Sequence, residues 1–142
     1  EVFDPKYVWG NSVQVSEIVT STNQVDALKD YAGESNTDKI IAQLGTGNAP
    51  AAEYCRNYTF KNGKKGYLWS LGEASDAFNN MHKINNAFIA IGCTEVAYSS
   101  YYWTSTQADR DYVWVLYLMS VGIRIDSMDK ASEYYVRPVC SI

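Results

Sequence analysis

The sequence predicts a single α+β domain in which helices pack on a twisted antiparallel sheet. Two observations carry this. Helical signals occupy the first two-thirds of the chain, and from Tyr101 onward the apolar pattern changes to a period of two. The length of 142 residues fits one domain over 1–142 and can bury a core without metal or disulfide support.

Residues 1–12 carry Pro5, Gly10 and Asn11 and read as an irregular start. Val13, Val15, Ile18 and Val19 suggest a first strand that Ser21-Thr22-Asn23 closes. Ser35-Asn36-Thr37-Asp38 offers N-cap residues for a short helix through Ile40, Ile41 and Leu44, with Gly45 as its C-cap. Pro50 suits the first turn of a further helix over 49–53. Lys61-Asn62-Gly63-Lys64-Lys65-Gly66 is a loop. Ser70 and Glu73 then have capping-box spacing. From Glu73 to Ile91 the apolar spacing is helical, and Asn79-Asn80 and His82 predict a break near 80–82, giving two consecutive helices with Gly92 at the end.

Strands are expected over 101–105, 112–119, 123–127 and 134–140, with a turn near Val121-Gly122 and Pro138 holding the last strand to an edge or bulge. In the 112–119 strand, Trp114, Leu116 and Leu118 share one face of the pleat. Val113, Val115, Tyr117 and Met119 share the other, which is apolar too. Such a strand is either buried on both sides or holds an apolar face out for a ligand. Ile123 and Ile125 pointing inward place Arg124 and Asp126 outward, which favours a mixed binding face. Trp103, Trp114, Leu116 and Leu118 are expected to share the core.

Composition narrows the function. The net charge is −4 and the pI about 4.9, and the largest basic cluster is the Lys61–Lys65 turn, so nucleic acid is not expected as a partner. No apolar run has the length of a membrane span. The chain has 12 Tyr against 4 Phe, a bias toward residues that present an apolar ring and a polar tip, as binding faces do. Catalytic arrangements are absent. There is no phosphate loop, no HExxH and no serine–histidine pairing, and the one histidine, His82, sits beside Met81 at a helix junction. Glu73 and Asp76 read as helix-start charges, and Glu95 and Asp129 lack a carboxylate partner. Cys55, Cys93 and Cys140 have no metal-ligand spacing and read as buried thiols, with a Cys55–Cys140 disulfide as the alternative. No cofactor or metal is expected, and no enzyme activity. The chain begins Glu1-Val2-Phe3 without Met or a signal peptide, as a processed chain or an excised domain does.

Several segments taken together resemble a known family. They are Asn62-Gly63-Lys64-Lys65-Gly66-Tyr67-Leu68 with Leu71-Gly72-Glu73, Ile91-Gly92 with Tyr101-Tyr102-Trp103-Thr104-Ser105-Thr106, Trp114-x-Leu116, and Tyr134-Tyr135-Val136-Arg137-Pro138-Val139. From about residue 38 onward the chain resembles C-type-lectin-like domains related in fold to formylglycine-generating enzymes. Within these it is most similar to variable proteins of diversity-generating retroelements from gut Bacteroidales or their phages. Residues 1–30 carry none of the resemblance.

That resemblance implies a non-enzymatic domain that displays a diversified surface, over about 107–129, to a cell-surface protein or glycan. The implied home is extracellular: a cell surface or a phage virion. The implied ligand-binding face comprises Ala108, Asp109, Arg110, Asp111, Val115, Tyr117, Met119, Val121, Arg124 and Asp126. Val115, Tyr117 and Met119 would be the apolar anchors, and the charged residues the rim. Most of these types are reachable from AAC codons, whereas Met119 and Gln107 require another template codon or invariance. A fixed-specificity adhesin or pilus-tip module of the same fold is the alternative. The calcium-site signatures of sugar-binding C-type lectins are absent, because Val115-Leu116 follows Trp114 and no Glu-Pro-Asn occurs. The catalytic cysteine pair of the formylglycine-generating oxidases is not found either, which makes that third reading remote.

Overall fold

A computed structural model describes residues 4–80 and 96–141. Its elements run β1 (Lys6–Val8), α1 (Gln24–Ala27), α2 (Gly33–Leu44), α3 (Pro50–Asn57), β2 (Tyr67–Leu68), α4 (Leu71–Asn79), β3 (Ser100–Gln107), β4 (Tyr112–Met119), β5 (Gly122–Asp129), β6 (Glu133–Tyr135) and β7 (Pro138–Val139). The α+β class is correct. A five-stranded sheet has the order β1-β6-β3-β4-β5, and β2 pairs with β7 in a small second sheet.

Local chemistry explains most boundaries. Ser70 Oγ accepts from the Glu73 backbone N–H while the Glu73 carboxylate accepts from the Ser70 N–H, so the capping box starts α4 as its spacing predicts. Gly45 ends α2, and Pro50 opens α3. Gly63 has φ +81° in the lysine-rich turn, a conformation that costs glycine little. Asn80 is the C-cap of α4, at the expected break. The expected second helix, with Met81, His82, Gly92, Cys93 and Glu95, lies outside the described residues.

Four expectations about elements are corrected. Residues 13–19 form no strand. There the Val15 N–H and C=O bond the Gln107 side-chain amide, and the Ser16 N–H and C=O bond that of Gln43. Two glutamine amides thus satisfy the backbone groups that a neighbouring strand would have taken. The N-terminal strand is instead β1, in the supposedly irregular start, and it pairs antiparallel with β6. Helix α2 begins at Gly33, so Ser35–Asp38 lie inside it and do not cap it. The last strand is split into β6 and β7, with Pro138 in the small sheet.

The core gathers on both sides of the sheet. On one side Trp69, Phe78 of α4 and Tyr102 pack edge to face, and Tyr102 stacks on Tyr135. Leu116 and Leu118 are buried on that side as well. A polar hub links α1 and α2 to the sheet. The Asp30 carboxylate accepts from the Ala32 N–H, Asn36 Nδ2 and Thr106 Oγ1, and its backbone carbonyl accepts from Ser70 Oγ and the Gly72 N–H. Trp103, Trp114, Leu116 and Leu118 are all buried, but they do not share a face. Trp103 is the cross-strand partner of Val115, which places it opposite to the Trp114 face.

Candidate functional site

One half of the sheet is built by β3, β4 and the edge strand β5 in antiparallel register. One rung across it is Tyr101–Tyr117–Arg124, and the next is Trp103–Val115–Asp126. Directly paired residues point to the same side, so these six side chains share one face. The opposite face of β5 takes Ile123 and Ile125, as the sequence predicts.

The first rung is open to solvent. Tyr101 and Tyr117 pack with ring centroids 4.7 Å apart, and Tyr134 of β6 extends the row at 5.1 Å from Tyr101. The Arg124 guanidinium lies 4.8 Å from the Tyr117 ring centroid. It donates from Nη2 to the Tyr101 hydroxyl at 2.7 Å and from Nε to the Asp126 carboxylate at 2.8 Å. These two acceptors hold Arg124 still more firmly protonated. The tilted rings and the anchored guanidinium form a pre-ordered aromatic platform with one cation and one anion at its edge.

The second rung is closed at Trp103 and Val115 and open at Asp126. Trp103 and Val115 have no exposed surface. The Trp103 indole N–H donates to the Tyr7 carbonyl at 2.7 Å, and its ring meets Tyr134 edge-on at 5.0 Å. The expectation that Val115 anchors a ligand is therefore corrected, because this position belongs to the core. Ala108 is corrected for the same reason: it is buried, and its backbone N–H bonds the Tyr112 carbonyl.

The remaining expected residues fall in two other places. Asp109 Oδ1 accepts from the backbone N–H groups of Asp111 and Tyr112, both at 2.8 Å, so its side chain shapes the turn into β4. Arg110 is exposed and pairs with Asp111 at 3.3 Å. This loop stands at the start of β4, and Tyr117 comes six residues later, about 20 Å along an extended strand. It does not join the aromatic platform. Met119 and Val121 lie at the other end, beside the Ser120–Val121 turn, where with Phe78 and Tyr98 they line a shallow groove of about 290 Å³. Val121 is 93% exposed. Of the ten expected positions, Tyr117, Arg124 and Asp126 meet on one open face, and half-buried Met119, opposite Gly122, stands at the next rung of that face.

Two members of the platform, Tyr101 and Tyr134, escape the sequence reading. The tyrosine excess was the available signal. Neither strand's own pattern shows that Tyr101 stands opposite Tyr117 or that β6 lies beside β3, because that information is in the pairing between strands. A second polar centre escapes it too. Lys130 has no exposed surface, and its ammonium donates to Gln107 Oε1 and the Val13 carbonyl while lying 4.6 Å from the Trp9 ring centroid. Burial lowers its pKa to about 8, although Asp109 and Asp111 oppose the shift.

Among the described residues no group of three or more His, Cys, Asp or Glu is placed to hold a metal ion. Cys55 and Cys140 are free thiols, and burial pushes the Cys55 thiol far up. No described helix is long and apolar enough to cross a membrane.

No protein family and no curated protein matches the chain. A solved structure, a fimbrial protein from Bacteroides ovatus ATCC 8483, is similar to it with a TM-score of 0.68 at 13% sequence identity. The match covers 93% of this chain and 33% of that one, so the chain spans about a third of its structural neighbour. At that identity the likeness concerns the fold.

Proposed function

We propose that this domain is a non-enzymatic ligand-binding module of adhesin type, acting at a cell surface on a surface protein or glycan. The observation that carries this reading is the open Tyr101–Tyr117–Arg124 rung, extended by Tyr134 and Asp126. Tyrosine and arginine are the side chains that dominate interface energies, and here they are ordered before any ligand arrives. The fimbrial fold neighbour supports the adhesin setting. We read the fold as C-type-lectin-like, and the pairing of β1 with β6, which brings the two ends of the chain together, supports that reading.

Fixed specificity fits better than a diversified surface. Ala108 and Val115 are buried, so variation across the whole 107–129 segment would alter the core along with the face.

The test is capture on arrays of glycans and of purified surface proteins, comparing the parent with Tyr117→Ala and Arg124→Ala. Each substitution should weaken capture at least about tenfold, equivalent to a truncation cost above 1 kcal/mol. Melting temperatures should shift little. Capture that ignores both substitutions would place the ligand elsewhere on the domain.

A further inference from the structure

The two ends of the main sheet are unlike. Strand β1 closes one end with three residues and a lysine. Strand β5 forms the other end with eight residues, paired to β4 without a break from Gly122 to Asp129. No described residue pairs with its outer side. Proteins blunt exposed edges with charged side chains, proline, bulges or brevity; β5 is long, unbroken and free of proline, and its charged pair, Arg124 and Asp126, is of opposite sign.

We infer that β5 is a self-association edge, and that its partner is the β5 strand of a second copy of this chain. The charge pattern selects this occupant and its register. In an antiparallel pair related by a two-fold axis at Ile125, Arg124 stands opposite Asp126 of the second copy, and Asp126 opposite Arg124. Directly opposed Cβ atoms are about 4.5–5.5 Å apart, so Asp126 of each copy reaches the Arg124 of the other once that guanidinium swings outward from Tyr101. Sliding by two residues, the smallest slip that keeps the faces matched, puts Arg124 against Arg124 in one direction and Asp126 against Asp126 in the other. Only the Ile125-centred register neutralises both ends.

Each copy already holds an Arg124–Asp126 pair at 2.8 Å, so the interface closes a ring of four alternating charges. It also sets Ile125 against itself on the opposite face and brings the two aromatic platforms onto one continuous sheet surface. The short, lysine-bearing β1 edge stops further growth, so the product is a closed dimer. An edge of eight residues is a small interface, which makes dimerisation dependent on concentration.

Sedimentation equilibrium from low to high micromolar protein tests this. The parent should pass from monomer to dimer, and Arg124→Asp and Asp126→Arg should each weaken the dimer at least about tenfold. An equimolar mixture of the two variants should regain it, since their charges complement each other at both positions. An Ile125→Cys substitution in a Cys93→Ser, Cys140→Ser background should form a covalent dimer on mild oxidation. Far-UV spectra and melting confirm that every variant is folded. A parent that stays monomeric, a dimer indifferent to both reversals, a mixture that fails to recover, or a missing covalent dimer would each overturn the assignment.

Discussion

Val115 and Tyr117 lie two residues apart on the same face of β4, yet Val115 is wholly buried against Trp103 while Tyr117 stays half-exposed beside Arg124. On β4 the boundary between core and binding face therefore runs between two adjacent rungs.

This boundary has a measurable consequence. Val115→Ser puts a hydroxyl and a void where a close-packed side chain was, and should cost about 2–4 kcal/mol. Tyr117→Ser loses a ring that is partly in water and should cost about 1 kcal/mol or less. Chemical denaturation of the two single variants measures both. Equal costs would mean that the two rungs are buried alike.

Trp114 should be costlier than either. It is 7% exposed, its indole N–H donates to the Ser21 carbonyl at 2.8 Å, and its own carbonyl accepts from Thr104 Oγ1. Trp114→Ala leaves a large cavity and takes the indole donor from the Ser21 carbonyl, while the backbone bond to Thr104 remains, at about 3–5 kcal/mol. Val121→Ser, at the exposed turn, should change stability by less than about 0.5 kcal/mol.

The cysteines give a prediction about reactivity. The thiolate is the reactive form, and Cys55 is both buried and held as a thiol by desolvation. Cys140 is half-buried. Site-resolved mass spectrometry after brief iodoacetamide treatment of the folded protein should find Cys140 modified and Cys55 unmodified. Rapid labelling of Cys55 would contradict its packing.

How much of this was legible in the sequence depended on whether the signal was local. The Ser70–Glu73 cap, the β4 and β5 strands and the outward Arg124–Asp126 pair follow from spacing alone, and the structure places them as expected. Strand β1 is three residues long, too short to show a period. Val13 and Val15 do alternate, but Gln107 and Gln43, far along the chain, supply the bonds that a strand would have used. The difference between Val115 and Tyr117 depends on Trp103, whose indole is held by Tyr7, and no pattern within β4 contains that information.

Lys130 makes stability depend on pH in a specific direction. Its folded-state pKa is lowered to about 8 from an ordinary value near 10.5. Below about pH 8 both folded and unfolded chains carry the proton, and folding bears the full cost of burying the ammonium. Between about pH 8 and 10.5 the folded chain has released this proton while the unfolded chain still holds it, so stability rises with pH. The neutral amine keeps hydrogens to donate to Gln107 Oε1 and the Val13 carbonyl, so deprotonation need not break the link to the N-terminal segment. Denaturation midpoints of the parent and of Lys130→Met, compared from about pH 7 to pH 10, isolate the effect, because the tyrosines and other lysines titrate in both proteins. The parent should gain stability relative to the variant across that interval. A constant difference, or a parent that loses ground as the pH rises, would show that Lys130 stays charged in the folded protein, held by its two carbonyl acceptors and the Trp9 ring.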